Sequence, residues 1–219
     1  MHRLLFEKKG NAVWISHLDL MRLFQRAFKR AGLPLTHTKG FNPRPSVSIA
    51  LPLSVGTESI CELLDFELDG VSVSCPEILH KLNQTLVDGI QVRDVYTEGK
   101  KLKELAFLDC RLCMEYDTGY PEGADNQIRS LFNADTLLVT KKSKNGMQEQ
   151  NIIPMIKKMD ISQDGNKCII LNARICCQNP SLNPAQLLAA VETYLPELKP
   201  DWCGIMRLEI FDHQENIFR

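Results

Sequence analysis

The most regular pattern of apolar and polar positions along the chain lies between Trp14 and Pro52. Apolar residues recur there three to four positions apart, at Leu20, Leu23/Phe24, Ala27/Phe28 and Ala31, which predicts an amphipathic helix. Ser16 followed by Asp19 is a capping-box pattern and marks the start of the helix. Gly32 and Pro34 mark its end. A Gly/Pro-punctuated loop and a strand over 47–53 follow.

The same patterns predict further elements in a regular order. A strand pattern covers 2–15 and is broken at 9–11. Two more strand patterns cover 61–68 and 90–96, and residues 76–86 have a helical pattern. The order is therefore strand, helix, strand, strand, helix, strand. Split β-α-β units of this kind build the ferredoxin-like fold, a four-stranded antiparallel sheet covered by two helices.

The pattern recurs after a short polar break. Strands are predicted over 106–116, 137–142, 169–177 and 203–211, and helices over 124–133 and 184–195. The fold class predicted is α+β, with two tandem ferredoxin-like (βαββαβ) units. The domains are expected at 1–97 and 106–219, with 98–105 as the linker. A basic tip at 141–146 opens a longer insertion between the two inner strands of the second unit.

Composition agrees with a soluble globular protein. The 219 residues are 44% hydrophobic and 24% charged. No apolar run approaches the roughly 20 residues that a membrane span needs, and the first residues lack the features of a signal peptide. We therefore expect a cytoplasmic protein without a membrane partner.

Charge is distributed unevenly along the chain. The formal net charge is −1, but residues 1–50 hold nine Lys and Arg against two acids, and residues 51–99 hold two against nine. A concentrated basic surface is typical of proteins with an anionic partner, most often nucleic acid.

The predicted helix and loop supply the candidate nucleic-acid-binding residues. Three arginines recur four positions apart on one helix face, and the loop adds two more cations. Pro43 and Pro45 restrict that loop. Phe41 is either a core residue or an exposed base-stacking residue, and as a core residue it has no role in binding. The predicted binding residues are Arg22, Arg26, Arg30, Lys39, Phe41, Asn42 and Arg44.

Catalytic and metal chemistry have fewer signals. His17 and His37 are the candidate catalytic residues, since general acid–base cleavage of RNA uses histidine beside a phosphate-neutralising cation. The CxxC at Cys110 and Cys113 falls inside a predicted strand, where positions three apart point to opposite faces. The eight cysteines therefore predict buried reduced thiols, with no metal and no cofactor.

The run SHLDLMRLFQRAFKRAGLPLTHTKGFNPRPSVSIALPLSVGTES, residues 16–59, resembles the signature of the bacterial radical-SAM-linked protein family, a domain of unknown function. The family's domain occurs alone or fused to the C-terminus of B12-binding radical SAM proteins. The resemblance implies a context of RNA or radical SAM chemistry, with a radical SAM protein as a partner.

The residues and the resemblance together favour a non-catalytic accessory protein over an enzyme. It would bind or present RNA, such as tRNA or rRNA, for radical SAM-type modification or for processing. Two alternatives stay open: a metal-independent endoribonuclease, and a protein-interaction adaptor for a radical SAM partner.

Overall fold

The structure is a computed structural model that describes residues 1–143 and 146–219. Over those residues the fold is mixed α+β, with four α-helices and antiparallel strand pairs, so the α+β part of the prediction is confirmed. The chain divides into two compact units, Met1–Glu104 with Arg219, and Leu105–Phe218. Of residues 98–105, predicted as the linker, 98–104 belong to the first unit and Leu105 to the second. In the first unit the Lys100 amide donates to the Arg219 carbonyl.

The first unit follows the predicted order of elements. Its elements are β1 His2–Lys8, α1 His17–Arg30, β2 Val47–Ile49, β3 Thr57–Phe66, α2 Cys75–Asn83 and β4 Ile90–Tyr96. β1 pairs with both β3 and β4, and β2 pairs with the opposite side of β3. The strands of this unit therefore lie in the order β4–β1–β3–β2, and each of these pairs is antiparallel.

The apolar stripe of α1 packs on this sheet. Phe24 lies edge-on to Phe6 of β1, with ring centroids 4.8 Å apart. Phe28 packs on Phe66 of β3 at 4.7 Å. These rings are buried, together with Leu20 and Ala27 of the predicted stripe. Burial of large apolar side chains fixes the helix and determines which of its faces points to solvent.

The chain between β1 and α1 differs from the prediction. Residues 12–15 were expected to resume a strand, but Gly10–Trp14 forms a 3₁₀ helix. Lys8 accounts for the difference, because its side chain is fully buried and its ammonium donates to the carbonyls of Val13, at 3.0 Å, and Ile15, at 2.9 Å. A buried charge needs such partners, and these two carbonyls lie directly before α1.

The second unit has a four-stranded sheet and an additional hairpin. Its elements are β5 Leu105–Glu115, α3 Ala124–Phe132, β6 Leu138–Ser143, β7 Gly146–Asn151, β8 Ile156–Asp164, β9 Cys168–Cys176, α4 Ala185–Tyr194 and β10 Trp202–Asp212. The strand order of the sheet is β10–β5–β9–β8, again with antiparallel pairs.

The prediction that residues 137–142 form an inner strand of this sheet is wrong. β6 does not join the sheet but pairs with β7 in a separate two-stranded hairpin, and β8 takes the position beside β9. β8 was missed because most of its side chains are exposed, so it lacks the alternation that identifies a half-buried strand. Of the predicted basic tip, Lys144 and Asn145 lie outside the described residues, and the Lys141 ammonium donates to the Ser181 carbonyl.

All eight cysteines are free thiols. Cys110 and Cys113 both lie in β5, as predicted, and burial raises the pKa of Cys110 to about 12. Across 1–143 and 146–219, no cluster of three or more His, Cys, Asp or Glu side chains has the geometry of a metal site. None of the helices in those residues is long and apolar enough to cross a bilayer.

The buried ammonium of Lys8 yields a test of this fold. Lys8→Met removes the ammonium that donates to the Ile15 carbonyl and one of the two donors to the Val13 carbonyl, which keeps the Gly56 amide. An unpaired buried polar group costs roughly 1–3 kcal/mol. We expect the free energy of unfolding, measured by urea denaturation, to fall by about 2 kcal/mol. Lys9→Met is the matched control, since the side chain of Lys9 is exposed and forms an ion pair with Glu7 at 3.1 Å. It should change stability by less than about 0.5 kcal/mol. Equal effects of the two substitutions would contradict the assignment.

Candidate nucleic-acid interface

α1 begins and ends as its sequence predicts. The Ser16 hydroxyl accepts a hydrogen bond from the Asp19 amide at 3.2 Å and donates to the Asp19 carboxylate at 2.7 Å. At the other end, Gly32 adopts a φ of +67°, a conformation that other residues rarely take. The Leu33 amide then donates back to the Phe28 carbonyl at 3.0 Å. Both ends of the helix are therefore fixed by local chemistry.

The three predicted arginines of α1 are all exposed, but their surroundings differ. Arg22 pairs with Asp19 at 2.9 Å, in a contact that is open to solvent at both partners. Arg30 donates to the Thr85 carbonyl at 2.7 Å, which directs its guanidinium toward the end of α2. Arg26 projects from the outer face between them. An exposed ion pair is worth little, so Arg22 stays available to an anion.

The loop after α1 projects from a hydrogen-bonded stem. The Ser46 amide donates to the Thr36 carbonyl at 2.7 Å, and the Thr38 amide donates to the Arg44 carbonyl at 2.9 Å. A further bond from the Gln25 side chain to the Pro45 carbonyl ties the stem to α1 at 3.0 Å. The loop is thus held at its base and open at its tip.

The predicted loop residues all lie at this tip or on its stem, and all are exposed: Lys39, Phe41, Asn42 and Arg44. Gly40, with φ of +139°, turns the chain there. The Phe41 side chain is completely exposed, so the alternative of a core residue is wrong. A fully exposed aromatic ring beside two cations is an arrangement that suits base stacking and phosphate contact.

Four of the cations form no close ion pair in the described part of the chain. Within the described residues, Arg26, Lys29, Lys39 and Arg44 make no ion pair with a carboxylate inside 4 Å. Charges that neither stabilise the fold by pairing nor lie buried leave a positive surface on α1 and its loop. Such a surface attracts an anionic partner.

The histidines proposed for catalysis have different environments. His37 is exposed on the loop stem, where it bridges to Pro45. His17 is the first residue of α1, but Ser16 makes the cap. The Nδ1 atom of His17 is buried and, among the described residues, has no hydrogen-bond partner.

Other exposed residues of this surface were not predicted. Lys29 is exposed on α1, and its only sequence signal was its charge, which belongs to the basic excess of residues 1–50. Trp14 and Leu18 expose 62% and 67% of their surface at the start of α1. Helical spacing assigns Leu18 to the outer face, but a single apolar residue there does not by itself indicate a binding site.

Fold and site together define a mixed α+β protein with an exposed basic helix and loop. The chain belongs to the DUF2344 family of uncharacterized proteins conserved in bacteria, whose model matches residues 2–184. The resemblance drawn from residues 16–59 is thereby confirmed as far as a bacterial domain of unknown function. A comparison with curated proteins finds none that matches.

Solved structures are similar to this chain at very low identity. A chain of a Cbf5–Nop10–Gar1 complex aligns over 95% of this chain and 48% of its own length, with 6% identity and a TM-score of 0.50. A chain of the archaeal box H/ACA sRNP Nop10–Cbf5 complex aligns over 94% and 46%, with 8% identity and a TM-score of 0.46. An unknown protein from Galdieria sulphuraria aligns over 94% of this chain and 96% of its own length, with 10% identity and a TM-score of 0.27. This chain spans about half the length of the first two.

The cap of α1 yields a prediction on ionisation. The hydroxyl of Ser16, followed by the Arg22 guanidinium, holds the pKa of Asp19 below its ordinary value. A lowered pKa favours the folded state above the ordinary pKa, and this contribution is lost as the pH falls through the lowered value. Ser16→Ala should therefore raise the pKa of Asp19 toward its ordinary value, as measured by NMR titration of the carboxyl carbon.

The matched control is Ser74→Ala, which removes the equivalent cap from α2. Each substitution should cost about 1 kcal/mol of stability, but Ser74→Ala should leave the Asp19 titration unchanged. An unchanged Asp19 pKa in Ser16→Ala would show that the hydroxyl does not set it.

Proposed function

We propose that this protein is a non-catalytic RNA-binding or substrate-presenting accessory protein of the cytoplasm. Its RNA is tRNA or rRNA that undergoes radical SAM-type modification or processing, and the radical SAM enzyme is its partner. It binds RNA phosphates through Arg22, Arg26, Arg30, Lys39 and Arg44, with Phe41 stacking on a base and Asn42 contacting the RNA beside it.

One observation carries the proposal: Arg26, Lys29, Lys39 and Arg44 are exposed on a helix and a tethered loop and, in the described part of the chain, form no ion pair with a carboxylate within 4 Å. A phosphate binds more favourably to a cation that does not first have to break an ion pair with a carboxylate. The exposed ring of Phe41 adds a group that a purely electrostatic partner would not require. Cations combined with an aromatic ring are typical of surfaces that bind single-stranded nucleic acid.

We further propose that both units are ferredoxin-like. The strand order β4–β1–β3–β2 in the first unit and β10–β5–β9–β8 in the second support this, since the second order repeats the first once the β6–β7 hairpin is set aside. A fold does not determine a ligand, so the binding function rests on the site and not on the architecture. The radical SAM partner rests on the resemblance of residues 16–59.

Two competing functions make different predictions. An endoribonuclease using His17 or His37 would shorten RNA during prolonged incubation, whereas an accessory protein leaves it intact. A protein-interaction adaptor would retain its radical SAM partner in a pull-down after nuclease treatment and would bind no RNA when purified.

The direct test is binding of bulk tRNA and rRNA fragments to the purified protein across a salt series. Phosphate contacts release counterions, so affinity should fall steeply as salt rises. The Arg22→Glu/Arg26→Glu variant places two carboxylates on the basic face and should weaken binding by roughly ten-fold or more. Affinity can be measured by filter binding or fluorescence anisotropy.

The matched control is Lys101→Glu/Lys103→Glu, which makes the same charge change at exposed residues outside α1 and its loop. It should weaken binding much less. An equal loss of RNA affinity in both variants would show that the net charge of the protein, and not the position of the arginines, determines binding. An affinity that does not change between low and moderate salt would contradict the proposed function.

A further inference from the structure

A cleft of about 350 Å³ lies between α1 and the chain that follows it, next to the basic surface. Its inner wall is apolar and comes from Phe28, Leu33 and Leu35, all of them buried residues. Pro45, on the loop stem, lines it from the opposite side. The volume falls at the lower end of the range for small-ligand pockets.

The walls of this cleft are held in place by hydrogen bonds between separate parts of the first unit. The side-chain amide of Gln25 donates to the Pro45 carbonyl at 3.0 Å and joins α1 to the loop stem. The Asp69 amide donates to the Pro34 carbonyl at 2.9 Å, and Leu35 bridges to Leu68. The cleft is therefore formed before any ligand arrives, which lowers the entropic cost of binding.

Three exposed polar side chains line the cleft besides its apolar wall: Lys29, His37 and Asp69. Asp69 is the informative one. A carboxylate repels phosphate, so a phosphate-binding surface has no use for it, whereas it accepts hydrogen bonds from the N–H groups of a base. Apolar walls with a carboxylate among the lining groups suit a nucleobase better than a phosphate.

We propose that this cleft binds one unpaired guanine base, and this rests on the proposed RNA-binding function. The Watson–Crick edge of guanine presents two adjacent N–H donors, N1–H and N2–H, which match the two oxygens of the Asp69 carboxylate. Adenine and cytosine present one amino group beside an acceptor, and uracil presents one N–H between two acceptors. Lys29 holds the neighbouring phosphate, and the imidazole of His37 packs against the base.

The experiment compares two single-stranded RNA dodecamers of uridine, one with a central guanosine and one with a central cytidine. The wild-type protein should bind the guanosine oligomer roughly 5- to 100-fold more tightly. Asp69→Asn exchanges one carboxylate oxygen for an amide donor and should remove this preference. Asp88→Asn alters an exposed aspartate outside the cleft and should retain it.

The outcomes separate the cleft from the proposed function. If both oligomers bind equally and Asp69→Asn changes nothing, while Arg22→Glu/Arg26→Glu still weakens binding, the guanine cleft is wrong and RNA binding stands. If neither oligomer binds while bulk tRNA does, the guanine cleft is wrong and RNA binding stands. If neither the oligomers nor bulk tRNA and rRNA bind at any salt concentration, both proposals are overturned. A preference for guanosine that Asp69→Asn preserves also contradicts the assignment of Asp69.

Discussion

The buried ammonium of Lys8 is the interaction on which the candidate site depends. It has no exposed surface, and it holds the carbonyls of Val13 and Ile15 in the 3₁₀ turn that precedes α1. The Ser16 cap follows immediately and marks the start of the helix. Phe24 and Phe28 then fix the rotation of the helix against the sheet. The direction in which Arg22 and Arg26 project follows from these contacts.

The first unit uses its positive charges in two ways. Arg3 is buried and forms a bidentate pair with Asp65, at 2.6 and 2.9 Å, and Lys8 is buried against carbonyls. These cations are satisfied by the fold. The cations on the outer face of α1 and on the loop are exposed, and Arg26 and Arg44 have no carboxylate within 4 Å in the part of the chain that the structure describes. Because surface charges contribute little to stability, the second group is the one available for binding.

The sequence predicted the parts of this surface that depend on local patterns. Ser16, Asp19 and Gly32 marked the ends of α1, and four-residue spacing placed Arg22 and Arg26 on its outer face. Contacts between distant segments gave no such signal. The orientation of Phe41 depends on the stem bonds of the loop, and Asp69 joins the cleft only because the chain after β3 bonds to Pro34. β8 was missed for a related reason, since its exposed positions do not alternate.

The most direct test of the RNA-binding surface is ultraviolet cross-linking of the protein to bulk tRNA and rRNA, followed by mass spectrometry of the modified peptides. The cross-linked residues should fall within 14–45, with Phe41 at the tip of the loop foremost among them. Cross-links confined to 105–218, or none above the background of a protein without nucleic-acid affinity, would contradict it.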